Sequence, residues 1–410
     1  EGRYTVLTAG SLSGASGIVT KTDLIPFLYK AALASNAPAN TLAVDITRKT
    51  VTELGLNTSQ GAAWNGAYAA LANDADIAGV FLNIRSGDTF RSTLDAMLPD
   101  HAGGTFRSIS LGSRTMARQA LDPVGPIKLS ERFRVAVGLG VWGVSKDTGL
   151  TQAYDNNGLG ASATAELETG FGNLGAGLTW LWNETKNGNQ DNSVVSNSYM
   201  LNGHWRGKWG GFAAFARGGI GRVSFDSKRY FAGATPTKQV ERTTSGKWNG
   251  TLTTFAAGAS MEGGGRHFFF RPTVSLDYTR LSEDAHTETG GGAGLNLTID
   301  KRSSSELAAE GGLTLGIDFT GMRQRETNWF RIEAEGGWRE ILDGKLGATT
   351  ARFGTGTAFT LLPDQGSGGW FGRVRALGGS SDFQLGGELG AEDTNGKLGL
   401  SLRGTLRMPF

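Results

Sequence analysis

The sequence predicts an all-β membrane protein: a 12-stranded antiparallel transmembrane β-barrel preceded by a helical linker. Three observations carry this. From residue 131 onward the chain alternates apolar and polar residues in twelve segments, and such alternation puts the two kinds of side chain on opposite faces of a strand. Aromatic residues gather towards segment ends, where membrane interfaces place them. Short connections such as Phe171/Leu174 and Trp209/Phe212 alternate with longer polar ones spanning 183–197, 226–247, 282–305 and 340–369, as in an outer-membrane barrel.

Composition sets the outer bounds. The 410 residues include 64 glycines with no three-residue period, which suits bends and crowded sheet corners and excludes collagen. There is no cysteine, which removes disulfides, thiolate zinc sites and thiol nucleophiles. The formal net charge of +2 predicts no nucleic-acid partner. No apolar run reaches the length of a transmembrane helix, a test to which barrel strands are blind. No charged-then-apolar leader follows Glu1, so no secretory signal lies within the chain.

Residues 1–55 read as extended β-structure, from Tyr4–Ala9 and Leu42–Thr47. Residues 56–130 read as helical linker. Asn57 or Thr58, with Gln60 close behind, N-caps an alanine-rich helix to Leu71. Further helices cover Ile77–Ile84 and Ser86–Leu98, the second stopped by Pro99. The last runs from Thr105 to Leu121 and ends before Asp122-Pro123. Arg107, Arg114 and Arg118 lie seven and four residues apart on it, which places them on one helical face.

Residues 131–410 supply the ribbons. The first carries Phe133, Val135, Val137, Leu139 and Val141 on one face. The last carries Leu398, Leu400, Leu402, Leu406 and Met408 opposite Arg403 and Arg407. An interior bounded by twelve strands is too wide to fill with aliphatic side chains, so the apolar faces are assigned to lipid and the charged faces to the lumen. Lumen acids are then Glu166, Glu168, Glu306, Glu310, Glu333, Glu335 and Glu388, and lumen bases Arg331, Arg339, Arg373, Arg375 and Arg403. The interface aromatics are Trp180, Trp182, Trp205, Trp209, Tyr278, Trp329, Trp338 and Trp370.

In order and spacing, several segments resemble the translocator domain of monomeric autotransporters, the type V secretion family. Tyr4–Ala9 and Asn40–Thr47 resemble the last rungs of a passenger β-helix, the autochaperone region. Asn57-Thr58-Ser59-Gln60, Ile84–Asp88, Arg271-Pro272 with Tyr278, Glu288-Thr289-Gly290 and the terminal Phe410 are similar to family patterns. The resemblance implies that residues 105–121 thread the pore, with Arg107, Arg114 and Arg118 facing the lumen acids. It implies that Phe410 is an assembly signal read by the barrel-insertion machinery. It also implies a monomer in outer-membrane lipid, met by periplasmic chaperones, that anchors and helps export its own N-terminal passenger to the cell surface. Some members cut themselves between two asparagines of the linking helix. No Asn lies between Asn83 and Asn156, so that reaction is not expected, and the passenger stays attached or is cut by another route.

Other chemistry is set aside. The histidines His101, His204, His267 and His286 are scattered without metal-ligand spacing, so no metal or other cofactor is expected. Ser86-Gly87-Asp88 lacks the strand that a nucleophile elbow needs. The triple glycines at 263–265 and 290–292 lack a Lys-Ser/Thr pair. Arg331, Glu333, Glu335 and Arg339 read as a lumen charge ladder, and no catalytic residue is assigned. The protein is therefore expected not to be an enzyme. The rival readings are a passive pore for small solutes and a hydrolase acting from the long loops, whose segments 226–247 and 340–369 contain no histidine.

Overall fold

The computed structural model describes residues 1–14, 24–38, 40–122, 133–188, 191–320, 328–393 and 396–409. The strands in chain order are β1 (Gly2–Thr8), β2 (Tyr29–Leu33), β3 (Thr41–Arg48), β4 (Phe133–Lys146), β5 (Tyr154–Thr169), β6 (Gly172–Asn187), β7 (Asn192–Trp209), β8 (Phe212–Ala234), β9 (Gln239–Met261), β10 (Gly263–Gly264), β11 (Phe268–Glu283), β12 (His286–Thr287), β13 (Leu297–Ile299), β14 (Arg302–Thr320), β15 (Trp329–Lys345), β16 (Thr349–Phe353), β17 (Phe359–Leu361), β18 (Gly369–Gly379), β19 (Gln384–Asp393) and β20 (Leu398–Pro409). The helices are α1 (Thr58–Leu71), α2 (Ala75–Asn83), α3 (Gly87–Asp95) and α4 (Gly104–Ala117), which runs into a 3-10 turn, Arg118–Leu121.

Twelve long strands close into a barrel, each pairing antiparallel with its neighbours: β4 to β9, then β11, β14, β15, β18, β19 and β20. The ring shuts where β20 pairs with β4, Leu402 opposite Val141 and Leu406 opposite Val137. The parity expected from the sequence holds. Leu139, Leu178, Leu201, Val274, Leu315, Val374, Leu389 and Leu400 are exposed on the outer wall, while Arg331, Glu333 and Arg403 are buried inside. Closure leaves no sheet edge, which is the condition for crossing lipid with strands.

One end of the barrel has tight turns, as between β5 and β6 or β7 and β8. The other, here the loop end, carries the longer connections. At the loop end the expected links 183–197 and 226–247 are mostly strand. β6 and β7 run on to Asn187 and from Asn192, and β8 and β9 are 23 residues each. The polar residues that suggested loops keep the alternation, because their inner row meets protein. Asn183 is buried against α4, and Phe231 and Val240 are buried under the helical linker.

The N-terminal residues depart from expectation. β1, β3 and β2 form a three-stranded antiparallel sheet rather than parallel rungs of a β-helix. Asn40, in the turn between β2 and β3, has φ 65°, a left-handed conformation that suits a chain reversal. The helices follow the sequence closely. Asn57 caps α1 in a reciprocal box with Gln60, while Asp74 and Ser86 cap α2 and α3. These three helices form a cap on the loop end. Leu54, Trp64, Ile77, Phe81, Phe90 and Leu94 share one apolar core with Phe231 of β8, Val240 of β9 and the small sheet β12-β13-β16-β17.

Candidate functional site: the plugged lumen

Helix α4 enters the lumen from the capped end. At 14 residues and ~1.5 Å per residue it spans about 21 Å. Gly103 starts it at φ 85°, and Asn156 Nδ2 of β5 donates to the carbonyl of Gly104 at 2.8 Å. One face is built of small residues and seats on β4, β5 and β6. Gly112 is required there, because a Cβ on it would lie 2.2 Å from the Trp142 ring. Trp142 Nε1 donates to Asn183 Oδ1 at 3.0 Å and to Ser108 Oγ at 3.2 Å. The indole thus has its polar partners inside the wall.

The opposite face carries the arginines. Arg114 Nη2 donates to Glu392 at 2.5 Å, and its Nη1 lies 3.8 Å from Glu306. Arg118 Nε donates to Glu388 at 2.8 Å. Arg107, expected to do the same, does not: it is buried yet forms no ion pair among the described residues, and its Nε and Nη2 have no hydrogen-bond partner. It lies beside Gly366, where a Cβ would be 2.6 Å from Nη2.

The helix terminus is held by arginines from the wall. Arg403 of β20 donates both Nη atoms to Asp122, at 2.6 and 2.8 Å. Arg407 donates to the carbonyl of Gln119 at 3.0 Å, and Arg206 of β7 to that of Asp122 at 2.9 Å. Carbonyl groups left open at a helix C-terminus accept such donors readily, and cations are favoured there.

Many of the remaining lumen charges pair with one another. Glu333 bonds Arg271 at 2.7 Å and Arg331 at 3.0 Å; Glu335 meets Arg375 at 3.3 Å; Glu310 takes Arg373 at 2.7 Å; Arg339 bridges Asp277 and Glu306, both at 2.8 Å. Glu166 gathers Arg206 at 2.5 Å and His204 at 3.3 Å. Glu168 pairs with Arg134 at the turn-end rim, and its side chain is about half exposed.

All five predicted lumen bases and six of the seven predicted acids are thus interior, and Glu168 is at the mouth. Of the interface aromatics, Trp209, Trp338 and Trp370 are exposed on the outer wall, and Trp180, Trp182, Trp205 and Tyr278 lie half-buried among them. Trp338 and Trp370 face each other across β15 and β18. Trp329 is a correction: it shares the inward parity of Arg331 and Glu333 and is 3% exposed, so it is a lumen residue. The sequence reading missed Trp142, Asp122, Arg134, Arg206, Arg271, Asp277 and Glu392. Trp142 had a usable signal, being an aromatic on the polar parity of β4. Phe410 lies outside the described residues, as do residues 123–132.

A sequence profile described as the autotransporter beta-domain matches residues 136–378, more than half of the chain. The chain belongs to the autotransporter β-domain family. Among solved structures, the translocator domain of the autotransporter NalP from Neisseria meningitidis has a TM-score of 0.58 to this chain at 17% identity. That match covers 76% of this chain and 99% of that one. The β-domain of the Bordetella autotransporter BrkA matches with TM-score 0.45 at 13% identity, over 68% of this chain and 98% of that one. The transport unit of AIDA-I from Escherichia coli gives 0.43 at 10%, over 74% and 98%. No curated protein sequence matches. The autotransporter barrel is an outer-membrane translocator domain. In outer-membrane barrels the longer loops face the cell exterior and the short turns the periplasm.

Proposed function

We propose that this autotransporter domain anchors its N-terminal passenger at the cell surface, and that α4 plugs the barrel once the passenger is outside. The observation that carries the reading is the course of the chain. Leu28, Leu54 and the cap helices α1–α3 lie at the exterior end, α4 descends through the lumen, and Asp122 is held among β7 and β20 at the periplasmic end. Anything attached before Glu1 therefore starts outside. The lumen is occupied by a helix whose Arg114 and Arg118 are neutralised by wall carboxylates, which speaks against an open solute pore. The role needs no catalysis, because burying the outer apolar rows in lipid with every strand paired provides the driving force.

The finer partners follow the same reading: a monomer, delivered by periplasmic chaperones and folded by the barrel-insertion machinery, with Phe410 as the recognised terminus. An epitope fused ahead of Glu1 tests the topology. It is expected to be stripped from intact cells by added protease while the barrel survives; an epitope protected until the cells are lysed overturns it.

A further inference from the structure

The outer wall is not a uniform apolar belt. Across β4 to β9, Leu139, Ala161, Trp180, Tyr199, Arg222 and Thr251 are register partners in a single outward-facing row. Barrel strands tilt, so such a row climbs obliquely. It leaves the middle of β4 among aliphatic side chains and reaches β8 and β9 where their outer faces turn polar. The row lines an open groove of about 1050 Å³. Its floor is Ala161 with Ala163, which stand between the larger side chains of β4 and β6.

The upper end of the groove is cationic. Arg222 lines it, is exposed and forms no ion pair among the described residues. Arg280 of β11 stands across β9, opposite Thr253; it is also exposed without an ion pair there, and its Nε donates to Ser303 Oγ at 3.2 Å. Between the two arginines lie Thr251 and Thr253. Two carboxylates share this wall towards the loop end. Asp226 holds Lys247 at 3.3 Å, and Asp284, beyond Ser282, lines the end of the groove. Two arginines thus face one unpaired carboxylate. Tyr199 is the register partner of Arg222, and Tyr278 is the outward residue just below Arg280. Tyrosines on a membrane protein's outer surface mark the level of the lipid headgroups.

We propose that this groove holds one phosphate-bearing lipid of the loop-side leaflet, with an acyl chain along Leu139 and Ala161 and the phosphate between Arg222 and Arg280. Guanidinium groups take phosphate oxygens through paired hydrogen bonds, and basic pockets beside an apolar wall select phosphorylated headgroups. The site rests on the outer-membrane placement of the barrel and stands whether or not a passenger is exported.

Native mass spectrometry of the full chain in detergent tests it. The probes are lipid A with its two phosphates and the same glycolipid with both removed, each with and without inorganic phosphate as competitor. One phosphorylated molecule is expected to be retained about tenfold more tightly than the dephosphorylated one. The exposed pair R222Q/R280Q is expected to keep a heat-modifiable barrel and erase that preference, and Asp284→Asn to increase it. Ala161→Leu fills the floor and is expected to weaken retention of both lipids. Equal retention of the two lipids overturns the proposal, as does a preference that survives R222Q/R280Q. Retention unchanged in A161L, or lost to inorganic phosphate, means that the acyl chain is not held and overturns it too. Should the double variant fail to fold, R222Q alone is measured in its place: a reduced preference supports the site and an unchanged one overturns it.

Discussion

Arg118 Nε and Glu388 Oε1, 270 positions apart in sequence, meet at 2.8 Å across the lumen and tie the C-terminal end of the pore helix to β19. Glu388 also takes Arg403 and Arg375, each at 3.2 Å. One carboxylate therefore joins three guanidinium groups from the plug and from two wall strands. Removing it leaves the buried Arg118 without its ion pair, while Arg403 keeps Asp122 and Arg375 keeps Glu335; losing one partner of a buried pair in other proteins costs about 3–5 kcal/mol. Glu388→Gln is expected to lower the temperature at which the barrel loses its compact, heat-modifiable form on gels. A shift smaller than about 2 °C would show that solvent screens the cluster.

The helix arginines are unequal, so their conductance effects should be too. The double substitution R114A/R118A removes both ties from α4 to the wall and should raise single-channel conductance in planar bilayers. R107A alone should change it much less, since Arg107 has no carboxylate to release. Equal effects from the three positions would mean that conductance reports steric filling rather than ion pairing.

Gly112 tests the seat of the helix without touching charge. A methyl at that position collides with the Trp142 ring, and both belong to close-packed elements. Gly112→Ala is expected to destabilise the plug by about 1–3 kcal/mol, seen as faster hydrogen exchange along α4 in mass spectrometry. Exchange unchanged from wild type would mean that Trp142 turns aside at no cost. The double variant G112A/W142F should recover part of the protection.

The cap has its own pH signature. Desolvation raises the Asp95 carboxyl to about 6, partly opposed by the hydrogen bond from Gln60 Nε2 at 2.9 Å. A carboxyl whose folded value lies above its unfolded ~3.9 binds the extra proton in the folded state. Its stabilising contribution is therefore complete below about pH 4 and is lost as pH rises through about 6. Asp95→Asn keeps the oxygen that Gln60 uses and removes the charge. At about pH 7.5 it should slow proteolysis of α1–α3, with a gain of about 1–2 kcal/mol, and the difference from wild type should vanish near about pH 4. A difference that grows towards low pH would reverse the assignment.

Cap and barrel should also separate. Phe90 is fully buried between Trp64, 5.2 Å away edge-on, and Phe81 at 5.6 Å. Phe90→Ala is expected to cost the cap about 3–5 kcal/mol, making residues 56–98 protease-sensitive while the barrel remains heat-modifiable. Joint loss of both would show that the cap is part of the barrel's folding unit.

The outer wall was legible in the sequence because lipid imposes one rule on every strand. Leu398, Leu400 and Leu402, like Leu313 and Leu315, must all be apolar, so parity and strand number can be counted. The interior obeys no such rule. Trp329 looked like a belt residue because it is aromatic and near a strand end, yet its parity turns it inward. Which arginine meets which acid depends on the stagger of twelve strands: Arg118 to Glu388 or Arg403 to Asp122 cannot be read from spacing along the chain. Helix caps, by contrast, are local, and Asn57 with Gln60 was visible from four consecutive residues. Antiparallel pairing of β1, β3 and β2 was hidden because alternation looks the same in either strand direction.

The seat of α4 and its restraints come from opposite ends of the barrel domain. Trp142, Asn156 and Asn183 belong to the first three barrel strands, which follow the helix directly. Glu388, Glu392 and Arg403 belong to the last two, beside the seam where β20 meets β4. A helix cradled on the early strands therefore has its groove before it has its latch. Apart from Arg206 of β7, the groups that bond its far end, Glu388, Glu392 and Arg403, lie on the strands that shut the ring, so closing the seam completes the bolt. A chain ending before β19 would carry the groove and lack the bolt.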